Sequence, residues 1–379
     1  MDKQIPSTLI IVDDFRIGGI QRLALDQLYQ LSDWGQKAEM LVLSEEPVSA
    51  LATFQHSEAR IISSKSVKIK YLPGRRWPQA FKMRQLINFK KYEVVIAHSL
   101  RSAVTIKLFC YLKLLDCKVI VTIHQLPSLS ATVQRTRRFI YSQFSDSLNS
   151  YSLAVKRDWD KRRESNFLIR LITSRRKIVV NRNGIYLGRL LVPNLTSQRK
   201  TNPYPRLVFI GRLTAWKGLT KFLEIASDEA LAKYQILLIT PTDPADYLSN
   251  LEPSLRGRIS VEIGKSVSNI EFYPTDIHLY PADYGIHALF VESISLNVLE
   301  MACLGIRSIV TATGTGTWPE LAGLGIVIEA DWSNIPKTAS LIADLPPYFG
   351  EDSAQAARKL IDIRNNLSAL LDVDLAELP

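Results

Sequence analysis

Short, continuous apolar runs alternate along the chain with longer stretches whose apolar positions recur at helical spacing. In the first half the runs are Leu9–Val12, Met40–Leu43, Arg60–Ile62, Glu93–Ala97, Lys118–Ile123 and Lys177–Val180. In the second they are Leu207–Ile210, Gln235–Ile239, Ile259–Ile263, Ile286–Phe290, Ser308–Thr311 and Gly325–Ile328. They are rich in Val, Ile and Leu and lack polar alternation, the pattern of parallel strands covered on both faces. Between them, Ile20, Leu23, Ala24, Leu28 and Leu31 stand at i, i+3, i+4, i+8 and i+11, one face of a helix. This alternation predicts βαβ units wound into parallel sheets. It pauses at Arg199–Arg206 (RKTNPYPR), a polar stretch with two prolines and no period, which reads as a linker. The expected fold is therefore α/β, with two doubly wound domains at 1–197 and 206–379 facing across a cleft. The last helix is free to cross back to the N-terminal domain.

Composition adds little to this picture: 46% of the 379 residues are hydrophobic and 22% charged, as in ordinary globular proteins. No signal-peptide pattern opens the chain, and no run of about 18 apolar residues predicts a spanning helix. Cys110, Cys117 and Cys303 have neither metal-ligand nor disulfide-framework spacing, which points to a cytoplasmic protein with reduced thiols. Charge is more telling. Residues 1–195 carry 32 Lys and Arg against 15 Asp and Glu, a formal +17, and the remainder carries 15 against 22, a formal −7. A basic half attracts phospholipid headgroups, nucleic acid or a pyrophosphate-linked acceptor. Two stretches interleave basic and aromatic residues: Lys65–Lys91 with Trp77, Phe81 and Phe89, and Lys156–Arg176 with Trp159, Phe167 and Ile172. That mixture suits an anionic membrane surface, so peripheral attachment at the inner membrane face is expected. No nucleic-acid-binding motif is present, and nucleic acid is not an expected partner.

Two segments could carry chemistry. Gly211-Arg212-Leu213-Thr214-Ala215-Trp216-Lys217-Gly218 directly follows the strand Leu207–Ile210 and opens a helical stretch. Arg212 and Lys217 can then converge on one anion beside the free N–H groups of a helix start. In Glu292-Ser293-Ile294-Ser295-Leu296-Asn297-Val298-Leu299-Glu300, two carboxylates flank a strand end and a helix that Ser295 could cap and Gly305 stop. Carboxylates accept hydrogen bonds from hydroxyl pairs, as on ribose or hexose. Of the five histidines, His98 and His124 follow apolar runs at strand ends, and His287 lies inside one, as a core residue would. No pair has metal-ligand spacing. Asp372-Val373-Asp374 has a metal-binding form but falls in a polar tail, where a solvated helix is expected, and Asp13-Asp14 reads as loop support. Dinucleotide, P-loop and hydrolase motifs are missing.

Glu292–Glu300, continued by Met301-Ala302-Cys303-Leu304-Gly305, resembles the E-x7-E element of GT-B retaining glycosyltransferases of family 4. Gly211–Gly218 resembles that family's G-R-L-x-x-x-K-G element. Gly18-Gly19-Ile20-Gln21-Arg22, the strand ends at His98 and His124, Asn183-Gly184-Ile185, and Thr313–Glu320 resemble further family elements in the family's order. The resemblance covers roughly residues 8–340 and implies two Rossmann-like domains, the second holding a nucleoside diphosphate sugar. It implies that Arg212 and Lys217 clamp the diphosphate, Glu300 binds the ribose and Glu292 contacts the transferred sugar. Gly18 and Gly19 would allow close approach to the diphosphate, Leu296 would join the donor site, and His124 would face the sugar or acceptor. No metal and no further cofactor is implied, since the two cations take a metal's place. The acceptor would be a saccharide or a lipid-linked molecule. Ser293 and Ser295 stand where the family has glycines. A non-catalytic subunit of the same fold and a sugar-nucleotide epimerase are the alternatives.

Overall fold

The structure, a computed structural model, describes residues 5–13, 18–36, 38–44, 68–72, 91–99, 106, 116–124, 145–151, 156–157, 159–161, 164, 178–194, 204–282, 295–311, 319–346 and 351–375. They form two compact units. One is drawn from Met1–Tyr186 and Asp362–Pro379, the other from Leu187–Ala288 and Ile294–Ile361.

The first unit holds a sheet of seven parallel strands: β1 (Thr8–Val12), β2 (Glu39–Val42), β3 (Lys68–Tyr71), β4 (Val94–Ala97), β5 (Lys118–Thr122), β6 (Ser147–Ser150) and β7 (Ile178–Val180). Their order is β3-β2-β1-β4-β5-β6-β7. The first strand is buried at every residue, as continuous apolar runs in a doubly covered sheet require. Helix α1 (Gly19–Asp33) turns Leu23, Ala24, Leu28 and Leu31 inward. It stops at Gly35 (φ +77), whose neighbour Gln36 donates back to the Leu31 carbonyl, a left-handed helix cap.

The second unit holds six parallel strands: β8 (Arg206–Ile210), β9 (Gln235–Thr240), β10 (Ile259–Ile263), β11 (Ile277–Tyr280), β12 (Arg307–Thr311) and β13 (Val327–Ala330). Their order is β10-β9-β8-β11-β12-β13. Helices α2 (Leu187–Asn194), α3 (Leu219–Ala226), α4 (Leu296–Cys303), α5 (Ile335–Asp344) and α6 (Glu351–Ile361) belong to it, and α7 (Ile363–Leu371) returns to the first unit. The return is tight. Ile185 and Asp362 form a β-bridge, and a Cβ on Gly184 would come within 2.7 Å of the Ile363 Cα. Both sheets are doubly wound and parallel, as the run pattern predicts.

Several elements differ from expectation. β3, β6 and β11 were not expected as strands. The expected strands Arg60–Ile62 and Ile286–Phe290, with His287, lie outside the described residues. Trp159 is fully buried in the apolar core of the first unit and so cannot meet a membrane, while most of the two basic stretches lies outside the described residues. Asp372 takes a left-handed cap (φ 60) at the end of α7, and Val373 is buried, so this segment ends a helix rather than being a solvated one. Among the described residues no helix is long and apolar enough to cross a membrane.

Candidate functional site

In each sheet the chain winds outward in both directions from a central pair of strands: β1 and β4 in the first unit, β8 and β11 in the second. The loops leaving such a pair diverge at the carboxyl ends, opening the crevice where doubly wound sheets take ligands.

In the second unit the loop after β8 carries Arg212 and then a single 3₁₀ turn, Ala215–Lys217, closed by Gly218 in the left-handed region (φ +78). Gly218 is required there. A Cβ would lie 2.1 Å from the Pro281 carbonyl oxygen, just beyond β11, so the loop rests directly on the next strand's end. The contact delivers Lys217 to β11. Its Nζ donates to the Tyr280 hydroxyl at 2.7 Å and lies 4.1 Å and 4.9 Å from the ring centroids of Trp216 and Tyr280. Aromatic faces and a hydroxyl thus hold this ammonium, which is almost fully buried. Below it, His278 is wholly buried, with Nδ1 3.0 Å from the Ser308 hydroxyl and Nε2 without a partner among the described residues. Burial, with the Lys217 charge beside it, pushes the His278 pKa down to about 3. Arg212 is exposed and makes no side-chain hydrogen bond or ion pair among the described residues.

Helix α4 begins at the same crevice. Ser295 occupies the N-cap without a side-chain capping bond, and Asn297 donates to the Ile210 carbonyl at 2.9 Å, tying the helix start to the end of β8. Leu296 is its first residue, and Gly305 (φ +75) ends it, with Ile306 donating back to Met301. Further along, Glu300 is buried, with Oε1 2.8 Å from a guanidinium nitrogen of Arg189 on α2, itself fully buried. Glu292 lies outside the described residues.

The first unit has a polar cluster of its own. Gly18 is the N-cap and Gly19 the first residue of α1. After β4, His98 Nδ1 lies 3.1 Å from His124 Nε2, and His98 Nε2 lies 2.9 Å from Gln27 Oε1. The two rings stack with centroids 5.4 Å apart, and Tyr151 packs on His124. Burial pushes the His124 pKa down to about 4. Burial, followed by the neighbouring ring, lowers that of His98 well below the usual range. Both rings are therefore neutral near pH 7. Asp13 accepts from the Ser99 hydroxyl at 2.7 Å, joining the loops after β1 and β4 as loop support.

No family model matches this sequence, and no curated protein matches it either. Solved structures do. The chain is similar to HepE of Anabaena in complex with UDP-glucose, with TM-score 0.62 and 12% identity, covering 96% of this chain and 98% of that one. A glycosyltransferase from Rickettsia africae gives 0.64 and 14%, covering 96% of each chain. Sucrose-phosphate synthase from Thermosynechococcus elongatus gives 0.62 and 14%, again covering 96% of each. The fold is GT-B.

Within this GT-B chain the structure groups the sequence candidates by unit. Arg212, Lys217, Leu296 and Glu300 share the second unit, on the β8 loop and on the helix tied to it. Gly18, Gly19 and His124 share the first. Sequence reasoning missed Arg189, Tyr280, Gln27 and, on α7, Asn366, whose side-chain oxygen accepts from the Gln27 amide at 2.9 Å. Among the described residues no group of three His, Cys, Asp or Glu side chains could hold a metal.

Proposed function

We propose that this protein is a retaining glycosyltransferase of the family 4 kind. It moves a sugar from a nucleoside diphosphate sugar to a hydroxyl acceptor. The second unit, drawn from Leu187–Ala288 and Ile294–Ile361 rather than from 206–379, takes the donor, and the first, which α7 rejoins, takes the acceptor. The observation that carries this reading is the cationic pair at the β8–β11 crevice: Lys217, oriented by Tyr280 and two aromatic faces, and the exposed Arg212 on the same short loop. Such a pair suits a diphosphate leaving group, whose charge grows as its bond to the sugar breaks. The likeness to HepE in complex with UDP-glucose supports the same donor class.

On this reading the bond between the anomeric carbon and the phosphate oxygen breaks as the acceptor oxygen bonds on the same face. The acceptor proton passes to the leaving phosphate. Arg212 and Lys217 supply the charge, with no metal and no further cofactor. Glu300 takes the ribose and Glu292 the transferred sugar. Leu296 lines the donor site, Gly18 and Gly19 approach the diphosphate, and His124 meets the sugar or acceptor. Turnover of a nucleotide-sugar panel tests this. Lys217→Ala should lower kcat/KM on the order of 10²–10³-fold, the scale of removing one preorganised charge-stabilising donor. Unchanged turnover in that variant would overturn the assignment.

The acceptor we propose is a lipid-linked or cell-envelope saccharide in polysaccharide biosynthesis, reached by a cytoplasmic protein bound peripherally at the inner membrane face. The formal +17 of residues 1–195 supports this. Flotation with anionic and with neutral liposomes should show binding to the anionic ones alone. Equal binding to both would count against it.

A further inference from the structure

The polar cluster of the first unit has a direction, and a backbone carbonyl sets it. The Arg182 carbonyl can only accept, so the Asn366 atom facing it at 2.7 Å is the amide nitrogen. The Asn366 oxygen therefore faces Gln27, at 2.9 Å, and only the Gln27 nitrogen can donate to it. The second proton of that nitrogen goes to the Tyr151 hydroxyl at 3.3 Å. This leaves the Gln27 oxygen facing His98 Nε2 at 2.9 Å, where it can only accept. His98 must then carry its proton on Nε2 and present a lone pair at Nδ1. His124 Nε2, 3.1 Å from that lone pair, must carry the proton between them. On a neutral imidazole this leaves Nδ1 of His124 with a lone pair and no hydrogen. Gln27, His98 and Asn366 are buried, so water has little chance to scramble the order, whereas His124, the last group of this hydrogen-bond relay, is partly exposed.

We propose that Gln27, His98 and Asn366 are positioning residues that fix the tautomer of His124, so that its Nδ1 meets a ligand only as a hydrogen-bond acceptor. The ligand group opposite it must then be a donor. A sugar or other polyol hydroxyl fits, while a phosphate or carboxylate oxygen would set lone pair against lone pair. The choice between the two is made about three side chains away, by Asn366 on α7, a helix that rejoins the unit beside the residues just after β7. This deepens the transferase reading, because it gives the chemistry of the group that His124 recognises.

The test is nitrogen-15 NMR of the full-length protein labelled at histidine, recorded at neutral pH, with His124→Gln assigning the resonance. The expected wild-type spectrum shows His98 and His124 each protonated on Nε2 and bare on Nδ1. A wild-type His124 protonated on Nδ1 would overturn the proposal. In Gln27→Met, and independently in Asn366→Leu, the single tautomer should give way to a mixture or to the inverted form. A tautomer untouched by both replacements would also overturn it. The wild-type spectrum fixes the orientation by itself, so a variant that fails to fold leaves the test decisive. If the expected tautomers appear in a protein that turns over no nucleotide sugar, this inference stands and the transferase reading fails.

Discussion

The sharpest residue-level statement concerns two glycines with nearly the same backbone. Gly35 and Gly218 both sit in the left-handed region, at φ +77 and +78, but nothing lies within 4 Å of a Cβ on Gly35, while Gly218 presses on the Pro281 carbonyl. Gly35→Ala should lower stability by about 1–2 kcal/mol, the ordinary cost of a side chain in that region. Gly218→Ala should cost clearly more and weaken nucleotide binding, because the loop must lift from β11 and take Lys217 with it. Thermal unfolding and a UDP-binding titration of both variants check this, and equal losses would contradict it. The sequence shows Arg212, Lys217 and Gly218 because they are close in the chain after an obvious strand. It hides Tyr280, which is 63 positions from Lys217, since nothing local marks a tyrosine as a hydrogen-bond partner. Gln27 and Asn366, 339 positions apart, are hidden for the same reason.

Among elements, the pairing of α2 with α4 rests on the buried Arg189–Glu300 contact. Breaking a buried ion pair by removing one partner costs about 3–5 kcal/mol, because the other charge stays buried without compensation. Arg189→Met should therefore destabilise the protein on that scale in a denaturant titration, and adding Glu300→Gln should recover most of the loss. A double variant no better than the single one would show that Arg189 acts through packing alone. Strand legibility follows apolar content. The central strands are unbroken Val, Ile and Leu and were readable. β3 (KIKY) alternates lysines with apolar residues at the sheet edge, and β6 (SLNS) is mostly polar, with Asn149 and Ser150 buried against their neighbours. β11 (IHLY) carries a buried histidine whose Nδ1 is partnered by Ser308 on the neighbouring strand. Such strands owe their place to the sheet already assembled beside them, which local pattern does not report.

For the whole molecule, three histidines held neutral by burial contribute to the acid limit. His124 is pushed down to about 4, His278 to about 3, and His98 also lies well below the usual range. In the unfolded chain each titrates near 6.5, so below that pH the unfolded state binds more protons than the folded one. Their contribution is complete above about pH 6.5 and falls as pH drops toward 4, by up to about 1.4 kcal/mol per pH unit for each histidine. Denaturant midpoints at pH 7.5 and 5.5 should differ accordingly, and a flat profile would refute the assignment. The closing of the first unit by α7 also bears on biosynthesis. A ribosome makes residues 1–186, then the second unit to its end at Ile361, and only afterwards the segment from Asp362 that covers Gly184 and supplies Asn366. Until the whole second unit has been made, the nascent first unit holds Gln27 without its Asn366 partner, so the orientation of its imidazoles is settled only after the other unit exists.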